Sequence, residues 1–389
     1  MLSKRNFKPI TTILPVVRLP RCREVFLCCA ILLVWLPNLL NGQSRTGCLP
    51  AHRFWDQDHY CQVASKKHFS IRETDEVWWV TSRNISGQLD SLDEVPTLEY
   101  AMDSSGRRSW QVRDAAELIA RHNQTNDLVT MFYVHGNRTN PNWSLNRGIQ
   151  VYENIYCNCK QRRPIRFVIW HWPADENKLR IQEFDDNSRR AIIHGRHFAR
   201  YLQYYDSRQE LGLVGYSLGA QFLLSTSQQI ADFVDQGSVT AQSWQESQLR
   251  MAFIAPVAAC DWPRCNHQLE QASRVIGQVV SFENQKDHAL AIYRLKCGSQ
   301  NPKGLSPLHS LRRLNCFDSK VQTYEVGHLA GSKHSIAKYV RPEFIQSSIR
   351  GYFGLTIDPA EPCCRQLQPH TQFNHDLQPQ PESTLQLER

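Results

Sequence analysis

Short, nearly continuous apolar runs recur between residues 75 and 356, separated by longer stretches of mixed polarity. Each run spans five to eight residues and is rich in valine, isoleucine, phenylalanine or tryptophan, which is typical of strands buried on both faces of a parallel sheet. The runs predict seven strands, at residues 77–81, 128–134, 166–170, 211–215, 250–257, 278–282 and 321–326.

The intervening stretches contain four segments with apolar residues at helical spacing, at residues 113–122, 188–205, 220–233 and 342–353. Strands that alternate with helices predict an α/β fold, in which a mostly parallel central sheet carries helices on both faces. The predicted domain extends over residues 75–356.

The regions outside this domain differ in composition. Residues 1–44 combine a basic start, an uncharged apolar run at 25–40 and small residues at Gly42 and Ser44. This order predicts a secretory signal peptide, with an uncleaved membrane anchor as the alternative. We therefore expect an exported protein, in the periplasm, the cell envelope or the extracellular space. Residues 45–74 are polar and predicted irregular, and the Pro/Gln-rich residues 357–389 are predicted disordered.

Charge and cysteine content refine this picture. The net charge is +8, partly from the first 23 residues, and no basic run is interleaved with aromatics, so we expect no nucleic-acid partner. Membrane contact is expected only through a possible N-terminal anchor. Ten of the 13 cysteines follow residue 44, an even number that predicts disulfide bonds in an exported chain. Local pairs are Cys48 with Cys61, Cys260 with Cys265, and Cys297 with Cys316, although spacing does not fix the connectivity.

Two cysteine clusters, Cys157-Asn158-Cys159 and Cys363-Cys364, lack the two-residue spacer that is common in zinc sites. We expect no metal and no organic cofactor.

The strongest chemical motif is Gly215-Tyr216-Ser217-Leu218-Gly219, which lies between an apolar strand and a helix. This is the context of a nucleophile elbow, a sharp turn that raises a serine hydroxyl at the carboxyl end of a sheet. The flanking glycines let the strand and the helix pass closely. The pattern therefore predicts an α/β-hydrolase fold with Ser217 as the nucleophile.

A second motif, Val134-His135-Gly136-Asn137, follows the strand at residues 128–134. Acyl transfer requires two backbone N–H groups directed at the developing oxyanion. In this fold they come from the residue after the nucleophile, here Leu218, and from an earlier loop, here Asn137. Gly136 would leave room for the substrate, and His135 is expected to brace the loop.

A serine nucleophile also needs a base and an orienting acid, which follow it along the chain in the order acid, then histidine. Asp287 has the position expected of the acid, with Glu283 and Asp261 as alternatives. Two histidines follow the last predicted strand, His328 and His334. Either can be the base on position alone.

Five segments together resemble a largely uncharacterised family of bacterial α/β-hydrolase-like proteins: Val134-His135-Gly136-Asn137, Ile169-Trp170-His171-Trp172-Pro173, Gly215-Tyr216-Ser217-Leu218-Gly219, Asn284-Gln285-Lys286-Asp287-His288-Ala289-Leu290, and His334-Ser335. The resemblance covers residues 75 to 355 and implies that Ser217, Asp287 and His334 form the triad. The family more often has histidine at the position of Tyr216.

These observations predict an exported serine hydrolase, esterase- or lipase-like, that cleaves an ester, thioester or amide of a small-molecule or lipid-like acyl substrate. The alternatives are a non-catalytic binding protein on a hydrolase scaffold and an acyltransferase with the same triad. Substrate contacts are expected from the loop at residues 137–160, which includes Trp143 and Tyr152.

Overall fold

The computed structural model of this 389-residue chain describes residues 57–65, 67–85, 87, 89–124, 127–159, 162–175, 180–238, 243–244, 249–259, 267–291, 305–307 and 320–356. The predicted signal segment, the C-terminal tail and Asp261 lie outside these residues. At least one member of each suggested cysteine pair also does: Cys48, Cys260, Cys265, Cys297 and Cys316. No helix among the described residues is both long enough and apolar enough to cross a bilayer.

The described residues contain a nine-stranded sheet and a separate two-stranded ribbon. In chain order the strands are β1 (Glu76–Thr81), β2 (Thr97–Met102), β3 (Arg108–Arg113), β4 (Val129–Val134), β5 (Ile165–His171), β6 (Leu211–Tyr216), β7 (Leu249–Ile254), β8 (Val257–Ala259), β9 (Ile276–Glu283), β10 (Leu305–Pro307) and β11 (Val321–Glu325). The large sheet has the order β11-β9-β7-β6-β4-β5-β1-β2-β3, and β8 pairs with β10.

The sheet is mostly parallel. Every neighbouring pair from β11 to β1 is parallel, whereas β2 and β3 add an antiparallel hairpin beyond β1. The strand order reverses between β4 and β5, so β4 lies beside β6. This is an α/β-hydrolase-type fold, as the alternation of apolar runs and helical segments predicts.

The helices are α1 (Gln57–Ser65), α2 (Ala115–Gln124), α3 (Pro141–Val151), α4 (Arg180–Leu202), α5 (Gly219–Asp235), α6 (His267–Val275), α7 (Gly327–Ala330), α8 (Ile336–Tyr339) and α9 (Glu343–Tyr352). A π-helical segment, Tyr152–Cys157, continues α3, and a 3₁₀ turn, Leu92–Glu94, precedes β2.

Side chains of β5 show that helices cover both faces of the sheet. Phe167 packs against Tyr152 and Tyr156 of the π-helical segment, with ring centroids 5.6 and 5.4 Å apart. Trp170 instead packs against Phe198 and Tyr201 of α4, at 4.5 and 4.9 Å. Positions of odd separation on a strand point to opposite faces. The π-helical segment and α4 therefore lie on opposite faces of the sheet.

The sequence-based prediction differs from the structure in several places. The short strands β8 and β10 and the helices α6, α7 and α8 were not predicted. The hairpin β2–β3 was not predicted, and α1 lies within the segment predicted to be irregular. This helix forms because Tyr60 and Ala64, four residues apart, are both buried against the sheet. Residues 137–160, predicted as a loop, are mainly α3 and the π-helical segment.

Candidate functional site

The proposed nucleophile lies at the carboxyl end of the central strand β6. Ser217 directly follows β6, has a φ of +53°, and is held by its backbone N–H, which donates to the Ile254 carbonyl oxygen at 2.9 Å. The left-handed region is costly for residues with a Cβ, so the turn is strained. Two other described non-glycine residues have positive φ, Arg138 (+55°) and Ala255 (+48°). These follow β4 and β7, which flank β6, so backbone strain is concentrated around Ser217.

Three side chains predicted from separate motifs form one hydrogen-bonded chain. His334 Nε2 is 2.9 Å from Ser217 Oγ, and His334 Nδ1 is 2.7 Å from Asp287 Oδ2. A carboxylate only accepts, so Nδ1 carries the proton and Nε2 is free to accept from the serine hydroxyl. The arrangement has the geometry of a serine nucleophile, a base and an orienting acid.

All four hydrogen bonds to the Asp287 carboxylate come from the protein. Oδ1 accepts from the backbone N–H groups of Ala289 (3.0 Å) and Leu290 (3.3 Å), and Oδ2 accepts from His334 and from the Tyr339 hydroxyl at 2.7 Å. Burial raises the pKa of Asp287, but these donors lower it more, and the resulting pKa is below its usual value. The carboxylate therefore stays ionised beside His334.

Two residues of this cluster were missed by sequence reasoning. Tyr339, in α8, donates to Asp287, and Asn284 Nδ2 donates to the Tyr339 hydroxyl at 2.9 Å. Burial, and next the Asp287 charge, raise the pKa of Tyr339, so its proton is retained. Tyr339 carries no motif, because its contact with Asp287 depends on how the chain folds over 52 residues.

Tyr216, where the resembled family more often has histidine, packs on the base. Its ring stacks on the His334 ring, with centroids 5.2 Å apart and planes 24° apart. Together with the two hydrogen bonds of His334, this contact leaves the imidazole little freedom to rotate.

The loop after β4 lies directly against the serine. A Cβ placed on Gly136 would be 2.8 Å from the Ser217 Cβ and 2.9 Å from the Tyr216 carbonyl oxygen, so only glycine fits here. Within the described residues, neither Leu218 nor Asn137 donates a backbone hydrogen bond. The N–H of Leu218 is thus available at the start of α5, where the helix dipole favours negative charge, and the N–H of Asn137 is available in the loop after β4.

Side chains from α4 hold this loop in place. Asn187 Nδ2 donates to Asn137 Oδ1 at 2.6 Å, and Arg138 Nε donates to the buried Glu183 carboxylate at 2.8 Å. Asn137 Oδ1 also accepts the Arg138 backbone N–H at 2.9 Å. These contacts stabilise the positive φ of Arg138.

The His135 side chain holds the loop after β4 in place by hydrogen bonds to backbone groups, the role expected of it. Its Nε2 accepts the Trp172 backbone N–H at 3.2 Å, so its Nδ1 carries the proton and donates to the Gly136 carbonyl oxygen at 2.8 Å. His171 Nδ1 lies 2.9 Å from the same Nε2. Burial lowers the pKa of His135 to about 3 and holds the pKa of His171 well below its usual value, so both rings are neutral.

Of the alternative site residues, the structure describes His328 and Glu283. The His328 side chain is 66% exposed, and its nearest carboxylate oxygen is that of Glu325 at 3.9 Å. Glu283 is buried as the last residue of β9, and the carboxylate that contacts His334 is that of Asp287. Tyr152, expected among the substrate contacts, is buried and donates to Asp75 at 2.7 Å. In the described part of the chain, no three His, Cys, Asp or Glu side chains are grouped to hold a metal.

No protein-family model matches the chain, and no curated protein matches it. Three solved structures are similar in backbone geometry. A Lactobacillus plantarum WCFS1 protein, provisionally named a cell surface hydrolase, is 13% identical, with 59% of this chain and 92% of that chain covered and a TM-score of 0.32. Inhibited esterase B from Lactobacillus rhamnosis is 11% identical, with 73% and 88% covered and a TM-score of 0.35.

Esterase Est22 is 12% identical, with 67% of this chain and 74% of that chain covered and a TM-score of 0.26. All three TM-scores are below 0.5. The fold assignment therefore depends on the strand order, and the chemistry of this chain has to be inferred from its own site.

Proposed function

We propose that the protein is a serine hydrolase that cleaves an ester, thioester or amide through an acyl-enzyme intermediate. The observation that carries this proposal is the hydrogen-bonded chain from Ser217 Oγ through His334 to Asp287, built at a strained turn that begins a helix. An unactivated serine hydroxyl is a poor nucleophile, and this arrangement supplies the base and acid that it needs.

In the acylation step, Ser217 Oγ attacks the substrate carbonyl carbon while its proton passes to His334 Nε2. The Asp287 carboxylate stays ionised, accepts a hydrogen bond from the Nδ1–H of the imidazolium and stabilises its charge. The tetrahedral intermediate collapses when His334 protonates the leaving alcohol, thiol or amine. The Tyr339 hydroxyl keeps Asp287 oriented during both proton transfers.

Negative charge on the carbonyl oxygen would be stabilised by the backbone N–H groups of Leu218 and Asn137. Neither group has a backbone acceptor among the described residues, and Gly136 lets the substrate approach closely. Donors fixed before the reaction need no reorganisation, which makes such sites effective. Water, activated by His334, then releases the acyl group and regenerates Ser217.

The segment at residues 1–44 supports the further proposal that hydrolysis takes place outside the cytoplasm. For the substrate we propose a small-molecule or lipid-like acyl compound. Ser217 is 3% exposed and the His334 side chain 17%, so the approach to the nucleophile is narrow. We therefore expect short acyl chains to be the best test substrates.

The test is fluorophosphonate labelling and p-nitrophenyl acetate hydrolysis by wild-type protein, Ser217→Ala, His334→Ala and the matched control His328→Ala. We expect labelling and turnover to be lost in Ser217→Ala and His334→Ala and to persist in His328→Ala. Circular dichroism and thermal unfolding would establish that each variant is folded.

Each result has a defined meaning. Loss of labelling in His328→Ala with retention in His334→Ala would overturn the assignment of the base. No labelling of folded wild-type protein would overturn the enzyme proposal and favour a binding scaffold. Labelling without hydrolysis, with acyl transfer to an added alcohol or amine, would indicate an acyltransferase.

A further inference from the structure

The proposed acid and the proposed base lie on two different loops. Asp287 belongs to residues 284–288, directly after β9, which we call the acid loop. His334 belongs to residues 331–335, between α7 and α8, which we call the base loop. The hydrogen bond between His334 and Asp287 therefore depends on the spacing of the two loops. Because a misplacement of about 1 Å can lower the rate of an enzyme about 10²-fold, contacts that join the loops bear on the proposed reaction.

The Asn284 side chain joins these loops and is fully buried. Its Oδ1 accepts the Lys286 backbone N–H at 2.8 Å within the acid loop, and its Nδ2 donates to the Gly331 carbonyl oxygen of the base loop at 2.7 Å. A backbone hydrogen bond of 3.0 Å, from the His288 N–H to the Ser332 carbonyl oxygen, also links the two loops. Asn284 thus adds a side-chain link to a backbone link.

The backbone groups around the Asn284 amide fix its orientation. The Lys286 N–H only donates and the Gly331 carbonyl only accepts, so the amide oxygen faces the first group and the amide nitrogen faces the second. A Cβ placed on Gly327 would lie 2.6 Å from Oδ1, so glycine leaves the room that the amide needs at this point. The two amide hydrogens therefore have defined directions.

The second amide hydrogen of Asn284 sets the direction of a hydrogen bond to the acid. Nδ2 donates to the Tyr339 hydroxyl oxygen at 2.9 Å, and that hydroxyl carries one proton. Because an amide N–H cannot accept, the Tyr339 proton is left for Asp287, whose Oδ2 accepts it at 2.7 Å. The donors therefore run in one direction, from Asn284 through Tyr339 to the carboxylate.

We propose that Asn284 is a positioning residue of the triad, which ties the acid loop to the base loop and directs the Tyr339 hydroxyl proton to Asp287. Its hydrogen bonds among the described residues go to Lys286, Gly331 and Tyr339, so it acts on the triad through other groups. The inference rests on the proposed hydrolase function, because it concerns the same triad.

The first test is Asn284→Asp, which keeps the size of the side chain and the acceptor for Lys286 but removes both donors. A carboxylate at this position accepts the Tyr339 proton, so Asp287 loses a hydrogen bond, and the link to Gly331 is broken. We expect kcat for p-nitrophenyl acetate to fall about 10²-fold, with KM within about twofold of wild type, because no substrate contact changes. Asn284→Ala breaks the same link without adding a charge and should lower kcat by about tenfold or more.

The variant Tyr339→Phe tests the direction of the hydroxyl proton. It removes the hydroxyl and keeps the ring, and we expect kcat to fall about fivefold with KM unchanged. The double variant Asn284→Ala/Tyr339→Phe should lose about threefold less kcat than the product of the two single losses, because the amide acts in part through the hydroxyl. Circular dichroism and urea unfolding establish that each variant is folded.

Asn123 offers a matched control, because its side chain also links two backbone segments. Its Oδ1 accepts the Asp206 N–H at 2.8 Å, and its Nδ2 donates to the Tyr204 carbonyl oxygen at 3.0 Å. Asn123→Asp and Asn123→Ala should leave kcat within about twofold of wild type. Tyr205→Phe, which removes a buried hydroxyl that donates to Tyr201 at 3.2 Å, is the control for loss of a tyrosine hydroxyl.

The outcomes separate this inference from the proposed function. Absence of turnover in folded wild-type protein would overturn both. Turnover in the wild type with unchanged kcat in both Asn284 variants, or with a raised KM at constant kcat, would overturn the inference alone. Equal losses of kcat in Asn123→Asp and Asn284→Asp would also overturn it, as an effect of lowered stability. If the Asn284 variants do not fold, Tyr339→Phe decides: an unchanged kcat overturns the inference, and a lower kcat with unchanged KM supports it.

Discussion

Two regions at the carboxyl edge of the sheet differ in whether their buried polar groups are hydrogen-bonded. Around β6 and β9, each oxygen of the buried Asp287 carboxylate accepts two hydrogen bonds from the protein. At the corner between β1 and the hairpin, the buried Trp79 indole N–H has no acceptor among the residues that the structure describes. Complete internal hydrogen bonding fixes a reactive geometry before a substrate arrives, whereas a buried donor without an acceptor lowers the stability of the fold at that corner.

The largest expected effect is a loss of turnover when the fully hydrogen-bonded carboxylate is replaced. Asp287→Asn replaces an acceptor-only group with one that can donate, so His334 loses the tautomer that leaves Nε2 free. We expect kcat for p-nitrophenyl acetate to fall by about 10⁴-fold. Asp93→Asn, at an exposed position in the 3₁₀ turn before β2, is the control and should stay within about twofold of wild type. A decrease in kcat of less than tenfold in Asp287→Asn would contradict the assignment of Asp287 as the acid.

Stability should depend on pH through the buried histidines near the loop after β4. The pKa of His135 is about 3 in the folded protein against 6.5 as an ordinary value, so the unfolded chain takes up the proton first as pH falls. Stability present above pH 6.5 is therefore lost towards pH 3. From pH 7 to pH 5, His135 alone should lower the free energy of unfolding by about 2 kcal/mol.

Urea unfolding at both pH values measures this loss. His135→Gln keeps an acceptor for the Trp172 N–H but does not titrate. The decrease in the free energy of unfolding between pH 7 and pH 5 should therefore be smaller in this variant by the contribution of His135. An identical loss in wild type and His135→Gln would show that His135 is not the titrating group.

The contacts between α4 and the loop after β4 should affect rate more than binding. Asn187→Ala removes the donor to Asn137, and Glu183→Gln weakens the ion pair with Arg138. Both residues position the oxyanion donors without contacting the reacting atoms. We expect kcat to fall about tenfold in each, with KM within about twofold.

The control for this prediction is Glu117→Gln, which weakens an ion pair with Arg121 on α2, away from the loop. Its kcat should be unchanged. A rise in KM at constant kcat in Asn187→Ala would instead assign Asn187 to substrate binding.

The smallest expected effect is on stability, as the difference in the free energy of unfolding lost when either of two buried tryptophans, one in each region, is substituted. The Trp172 indole N–H donates to the His135 carbonyl oxygen at 2.9 Å, whereas that of Trp79 has no acceptor. Substitution by phenylalanine removes similar volume at both positions. We expect Trp172→Phe to cost about 1 kcal/mol more in the free energy of unfolding than Trp79→Phe. Equal costs, measured by urea unfolding, would mean that the Trp79 N–H is satisfied in solution.

The two regions also differ in how far they could be predicted from the sequence. The parallel strands are buried on both faces, so their apolar runs are nearly continuous, as in Val129–Val134, where all six residues are buried. The hairpin strand β3, Arg108–Arg113, has no fully buried residue and mixes charged with apolar positions. The loop that joins it to β2, residues 103–107, is short and contains Gly106, which is typical of a hairpin turn. The hairpin was missed because neither strand is a nearly continuous apolar run, not because the paired residues are distant along the chain.

The same distinction applies within the candidate site. Ser217 lies in a local motif. The fold order restricts the acid and the base to a few residues after later strands, and the family resemblance indicates Asp287 and His334 among them. Tyr339, Asn187 and Glu183 have no such signal, because each reaches the site only through the packing of a helix against the loops. Residues that hold a reactive group in place are therefore harder to predict than the group itself.

The left-handed backbone at Ser217 also has a consequence for how this sequence can change over generations. Glycine adopts a positive φ without penalty, so Ser217→Gly should gain resistance to unfolding of about 1 kcal/mol while losing the hydroxyl. The Ser217→Gly protein would then be more stable than the wild type but would lack the nucleophile proposed for hydrolysis. Without selection for turnover, mutation at this position would therefore favour glycine, and serine would be kept only where its hydroxyl is used.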